Sequence, residues 1–170
     1  NKGHIKKPET QANTQRIYSM EDINTIREYF KTRPSKPTNT SAQVIAFTNF
    51  KGGVAKTTSS VHAAHYFARA GYKVLFIDAD SQGSGTSSFG YAPDHHFAPE
   101  ETLLPIFGDH NFDIKNLIKK TYWDGLDLIP ANLALYNVEL TAPIIQSSLK
   151  AAGKDYQAHA VLEHALSSVK

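Results

Sequence analysis

An α/β fold, a mostly parallel sheet flanked by helices with a helical N-terminal arm, is what these 170 residues predict. Three observations carry that prediction. The apolar run Val44–Asn49 leads straight into Phe50-Lys51-Gly52-Gly53-Val54-Ala55-Lys56-Thr57-Thr58 and then into an alanine-rich helical stretch. A second apolar run, Lys73–Ala79, follows that helix, so strand, loop, helix and strand make a βαβ unit whose strands are parallel and whose crossover is right-handed. A third strand signal, Leu126–Ile129, is again followed by helical patterning from Leu133.

Taken in order, residues 1–15 are polar and aperiodic, and read as a linker or a frayed end. The absence of an initial Met suggests that a segment precedes them. Ser19 followed by Asp22 forms a capping-box-like start, and Ile23, Ile26 and Phe30 then fall at helical spacing, which predicts an amphipathic helix over 20–31. Thr32 to Ala42, with Pro34 and Pro37, reads as a linker. Residues 57–70 form the helix after the loop and end at Gly71. Residues 73–79 suit a strand buried on both faces. The Gly-, Ser-, Pro- and His-rich stretch 81–111 holds few helix or strand signals, apart from a short turn at Leu103–Phe107. Ile114, Leu117 and Ile118 have helical spacing, Leu126–Ile129 is a strand ended by Pro130, Leu133–Leu149 is helical with an interruption at Pro143, and Gln157–Val169 is a helix. The division is a basic arm, 1–40, and an α/β unit, 41–170.

Composition restricts the class. With 41% hydrophobic and 20% charged residues the chain can build one domain with a sizeable core. No apolar run approaches the ~20 residues that a membrane-spanning helix needs, and no stretch has the layout of a secretory leader. The absence of cysteine excludes a disulfide framework and thiolate metal sites, and agrees with a cytoplasmic protein. Residues 1–40 carry eight Lys/Arg against four Asp/Glu, whereas the remainder carries ten against twelve. The basic balance therefore belongs to the arm, which suits contact with nucleic acid or another polyanion, or equally a solvated tail.

The loop carries the chemistry. Its small residues let successive backbone N–H groups turn inward around a polyphosphate, Lys56 brings a cation to the β/γ-phosphates, and the Thr57 hydroxyl can sit on the accompanying Mg²⁺. Lys51 is additional to the general phosphate-loop pattern. Asp78 and Asp80 lie two apart at the C-terminal end of a strand, where ligands bind in open parallel sheets, although one of them could instead cap a turn or meet a lysine. His62, His65, His95 and His96 lack the companion ligands of a metal site and read as surface or packing residues. Phe112, Tyr122 and Trp123 read as packing aromatics more readily than as base-stacking platforms.

Lys51-Gly52-Gly53-Val54-Ala55-Lys56-Thr57-Thr58 resembles the deviant Walker A box of the ParA/MinD group of ATPases. Lys73–Gly83 is similar to the strand and switch segment of its ParA branch, usually Asp-x-Asp-Pro-Gln-Gly, and Leu126–Asn132 to a later strand and turn. The resemblance covers roughly residues 17–169 and is closest to the larger plasmid partition proteins and RepA-like ATPases. It implies a P-loop NTPase-like fold and a partition protein that binds ATP with Mg²⁺ and hydrolyses it slowly. Residues 51–58 would hold the nucleotide, and Lys51 would reach a partner subunit's nucleotide. Lys51, Lys56 and Asp80 would be catalytic, Asp80 by positioning or activating the attacking water, while Thr57 and Asp78 would serve the metal. It further implies an ATP-dependent homodimer, DNA binding to segregate a plasmid or chromosome, a centromere-binding adaptor of the ParB/RepB type, nucleoid association and no membrane. The arm from Arg16 through the helix is similar to the trailing edge of a DNA-binding region.

Two positions depart from the family pattern. Ala55 stands where the family nearly always has Gly, and its Cβ is expected to weaken nucleotide binding without abolishing it. Ser81 replaces the usual Pro and loosens the switch segment, so hydrolysis is more affected than binding. No Walker B segment follows the last helix, which implies a fragment or a truncated chain with an exposed sheet edge prone to self-association. The alternative reading is a non-catalytic DNA-binding repressor or remnant of the same fold. A MinD-like membrane-positioning ATPase would need a C-terminal amphipathic helix, and an electron-transfer relative of the nitrogenase-reductase type would need cysteines for its cluster.

Overall fold

The computed structural model describes residues 9–10, 16–34, 42–108, 112–151 and 158–169. Much of both expected linkers lies outside these residues. The first, 1–15, is nevertheless not wholly irregular, because Glu9–Thr10 (β1) pairs antiparallel with Arg16–Ile17 (β2), Glu9 opposite Ile17. Arg16 and Ile17 are both exposed, so this pairing leaves no hydrophobic period for a sequence to display.

The arm's helix, α1, spans Met20–Tyr29 and starts as its sequence requires. Ser19 N donates to Asp22 Oδ2 at 2.9 Å, and Asp22 N donates to Ser19 Oγ at 3.1 Å, which satisfies two amides that a helix start leaves open. Ile23 and Ile26 are half-buried, but Phe30, expected on the same apolar face, is exposed. The arm is anchored by polar groups instead. Buried Asn24 donates from Nδ2 to Asp124 Oδ2 at 2.7 Å and accepts from Arg27 Nη1 at 3.1 Å. Arg27 Nη2 donates to the Arg69 carbonyl at 2.9 Å, and Arg33 Nε to the Gly71 carbonyl at 3.1 Å. Both carbonyls belong to the C-terminal end of α2, Lys56–Ala70, where the helix dipole favours cations.

The central sheet contains Val74–Ile77 (β3), Lys119–Lys120 (β4) and Leu126–Ile129 (β5), in the order β3, β5, β4. β3 runs parallel to β5, with Val74 opposite Leu126 and Ile77 opposite Ile129. β4 runs antiparallel to β5, so the described sheet is mixed. Alternation along the strands sends side chains to two separate cores. Val74, Phe76, Leu126 and Leu128 pack with Val61, Ala64 and Ala68 of α2 and with Phe89. Leu75, Ile77 and Ile129 face the opposite layer, which contains α5 (Leu104–Gly108), α6 (Tyr136–Ala151) and α7 (Ala158–Leu166). Helices thus lie on both faces of the sheet, as the sequence predicts.

Two strand expectations are corrected. Residues 44–49 join no ladder among the described residues; Val44 and Ile45 are 63% and 60% exposed, and Phe50 is fully exposed. Apolar, β-prone residues make a strand only where a neighbour takes their backbone groups. β3, expected to be buried on both faces, is covered on both but only half-buried, because it forms an edge of the described sheet.

The stretch 81–111 is more ordered than its composition suggests. It contains α3 (Ser84–Ser88), α4 (Pro93–His96), a 3-10 turn at Pro99–Glu101, and α5. Side chain to backbone bonds hold it: Leu133 N donates to Asp94 Oδ1 at 2.9 Å, and Asn132 Nδ2 to the Phe97 carbonyl at 2.9 Å. Phe89, Phe97, Leu103 and Ile106 are buried at irregular intervals, which gives no period to read. The helical spacing at 114–118 becomes a 3-10 turn, Ile114–Leu117, followed by β4. α6 continues through position 143, where a break was expected; proline removes one hydrogen bond there but its fixed φ is itself helical.

Candidate phosphate-binding site

The loop from Lys51 to Ala55 leads into the N-terminus of α2, and what that terminus lacks defines it. The N-cap is Ala55, no side chain caps the helix, and no acidic residue lies in its first turn. The first amides of α2 therefore keep their hydrogen-bonding capacity and the positive end of a 15-residue helix for an anion. An ideal Cβ on Gly52 or Gly53 would meet nothing within 4 Å, so the loop borders open space. Lys56 lies back over the loop, its Nζ donating to the Lys51 carbonyl at 3.2 Å. Lys51 N donates to Asn49 Oδ1 at 2.9 Å. Thr57 is half-buried and Thr58 exposed. Uncapped amides, a cation and space together fit a polyphosphate.

Ala55 has φ 59° and ψ 27°, the left-handed region that a Cβ disfavours. At this position the structure shows backbone strain, which the sequence expectation of a crowding Cβ did not include.

Asp78 and Asp80 sit at the C-terminal end of β3 in opposite environments. Asp78 is buried, and both oxygens accept hydrogen bonds. Oδ2 takes Thr86 N at 2.7 Å and Thr86 Oγ1 at 2.8 Å, and Oδ1 takes Asp80 N at 3.3 Å. Burial pushes its pKa upward against the lowering effect of these bonds, and the nearby Asp80 charge adds to the rise. Asp80 is exposed; its Oδ1 accepts from Gln82 N at 3.0 Å, and its carbonyl from Gly83 N at 2.9 Å, which closes a turn.

The structure adds residues that sequence reasoning missed. Thr86 is fully buried and accepts from Ala131 N at 2.9 Å while bonding Asp78. A Cβ on Gly85 would lie 2.9 Å from Asp78 Oδ2, and one on Gly83 would lie 2.7 Å from Pro93 Cγ, so both positions require glycine. The available signal was a glycine pair beside a carboxylate-bearing strand end. Among the histidines, His65 stacks on Phe89 at 5.4 Å and meets Trp123 edge-on at 5.1 Å, and Trp123 joins the α2-side core.

A protein-family model for the AAA domain matches residues 42–170. The chain belongs to the AAA domain family, on its ParA/MinD side. This ParA-type chain is 41% identical over 123 residues to protein SopA of Escherichia coli K12, a match covering 72% of the chain and 32% of SopA. Two solved structures share its P-loop fold. A plasmid partition protein of Borrelia burgdorferi bound to AMPPNP superposes with a TM-score of 0.59 at 27% identity, over 76% of this chain and 49% of that one. The cobyrinic acid a,c-diamide synthase of Mycobacterium smegmatis, with an ATP analogue and magnesium, gives 0.57 at 30% identity, over 76% and 47%. The ParA-type chain spans about a third of the length of the curated relatives it matches. Among the described residues no helix is long and apolar enough to cross a membrane.

Proposed function

We propose that this protein is a partition ATPase that binds Mg-ATP in loop 51–58, hydrolyses it slowly, and couples the nucleotide state to dimerisation and DNA binding. The uncapped N-terminus of α2 behind a glycine loop, with Lys56 beside it, is the observation that carries the reading. The loop amides would hold the phosphates directionally, Lys56 would leave the Lys51 carbonyl for the β/γ-phosphates, and the Thr57 hydroxyl would ligate Mg²⁺. Magnesium supplies charge neutralisation on the transferred phosphoryl group. Asp78 would support the metal's outer shell from its buried position, and exposed Asp80 would orient the attacking water. Lys51 would act on the nucleotide of a second subunit, so that ATP bridges two copies and hydrolysis releases them. Two subunits together would engage DNA through basic surfaces too weak singly, beside the nucleoid and with a centromere-binding adaptor.

Calorimetric titration with Mg-ATP tests the site. Saturable binding is expected for this chain and a loss of at least tenfold in affinity for Lys56→Ala, the scale of one charge-assisted contact. Equal affinity in both proteins would overturn the assignment.

A second reading, a DNA-binding remnant without turnover, is favoured by Ala55 at positive φ. Under it, Ala55→Gly changes neither nucleotide affinity nor phosphate release.

A further inference from the structure

We propose that Thr86 is a positioning residue whose buried hydroxyl ties Ala131, beyond the end of β5, to Asp78, and so holds the Asp80–Gly83 turn and the Asp80 carboxylate in one arrangement. The bonding has a single direction. Ala131 N can only donate, so it occupies a lone pair of Thr86 Oγ1 at 2.9 Å, and the hydroxyl proton is directed to Asp78 Oδ2 at 2.8 Å. Thr86 N adds a second donor to the same oxygen at 2.7 Å. Thr86 is 0% exposed, so water cannot replace any of these partners without opening the fold.

The turn hangs between two fixed points. Asp78 N donates to the Ile129 carbonyl at 3.0 Å, which secures one end to the sheet. At the other end Gly83 and Gly85 are seated without room for a Cβ, against Pro93 and against Phe76 and Asp78. Between them Asp80 N donates to Asp78 Oδ1 at 3.3 Å, and Asp80 otherwise accepts within its own turn, from Gln82 N and Gly83 N. Removing the Thr86 hydroxyl leaves Ala131 N without its acceptor and takes one of three donors from Asp78, which loosens the carboxylate that holds Asp80 N. That this matters for turnover rests on the role proposed above for Asp80.

Amide hydrogen exchange on the nucleotide-free chain tests the positioning by itself. In Thr86→Val, which keeps the volume, the amides of Gln82 and Gly83 are expected to exchange about tenfold faster, the scale of one buried hydrogen bond. Thr86→Ser, which keeps the hydroxyl, should stay within roughly threefold of wild type, and Ser59 in α2 should be unaffected by either change. Wild-type exchange at Gln82 and Gly83 in Thr86→Val would overturn the proposal. Should that variant fail to fold, the wild-type protein decides: a slowly exchanging Thr86 hydroxyl proton, resolved by NMR, is expected, and a rapidly exchanging one sinks the idea. With Mg-ATP, Thr86→Val should lower kcat about tenfold and leave the dissociation constant within threefold; unchanged turnover despite faster exchange would refute the link to Asp80. A wild-type chain that binds no nucleotide would refute the proposed function and leave the exchange comparison to judge Thr86.

Discussion

Ala55 carries the sharpest residue-level tension in the site, a methyl group held at φ 59° where the loop turns into α2. The left-handed region costs an L-residue about 1–2 kcal/mol. Replacement by glycine removes that cost while returning some freedom to the unfolded chain, roughly 0.4–1 kcal/mol. Ala55→Gly is therefore expected to be at least as stable as wild type in urea unfolding, by up to about 1 kcal/mol, with tighter Mg-ATP binding. A clear loss of stability would show that the loop does not hold this conformation. The turn into α2 was legible because glycines followed by an alanine-rich run mark where a helix begins. Thr86 was not: it lies in a run of serines and glycines, and its meaning comes from Asp78 eight positions away and Ala131 forty-five positions away.

Helices and strands differ in how far their own residues announce them. α1, its capping box and α2 could be read because a helix closes its hydrogen bonds within itself. Residues 44–49 could not, because a strand is completed by its neighbours, and here the sheet edge lies at β3. How α1 docks was also hidden, since Asn24 is polar and a helical pattern assigns polar residues to water. Asn24→Ala strips Asp124 and Arg27 of a buried partner. A loss of about 1–3 kcal/mol in arm docking is expected, visible as faster trypsin cleavage at Arg27 and Lys31. Unaltered cleavage would mean that Arg27 and Arg33 hold the arm without it.

At the scale of the whole molecule two carboxylates give opposite pH signatures. The Asp78 pKa is raised above its ordinary 3.8, so the stability linked to its proton is full below that value and is lost as pH rises through the folded pKa. The Glu101 pKa is lowered from 4.5 by the Lys119 ammonium and the Ala98 amide, so its contribution is present above 4.5 and is lost as pH falls through the folded value. Urea unfolding across this range should show Asp78→Asn gaining on wild type as pH rises, and Glu101→Gln losing a small amount only above about 4.5, as befits a surface ion pair. Parallel pH curves for Asp78→Asn and wild type would contradict the raised value. The three-layer arrangement behind these effects could be read from the succession of apolar strand runs and helical stretches. The network at Asp78 could not, because burial of a carboxylate depends on the packing of α3, which sequence periodicity did not reveal.

One helix has an uncapped end facing open space and an end gripped by two arginines, and α2, at 15 residues, separates them by about 22 Å. For a nucleotide whose phosphates bind at the uncapped end, as proposed, a fluorophore attached to the arm would lie too far from those phosphates to touch them. Any change of brightness on adding nucleotide would have to be transmitted along that rod or through the sheet beside it, so the arm is a place from which to watch the molecule move without touching its cargo.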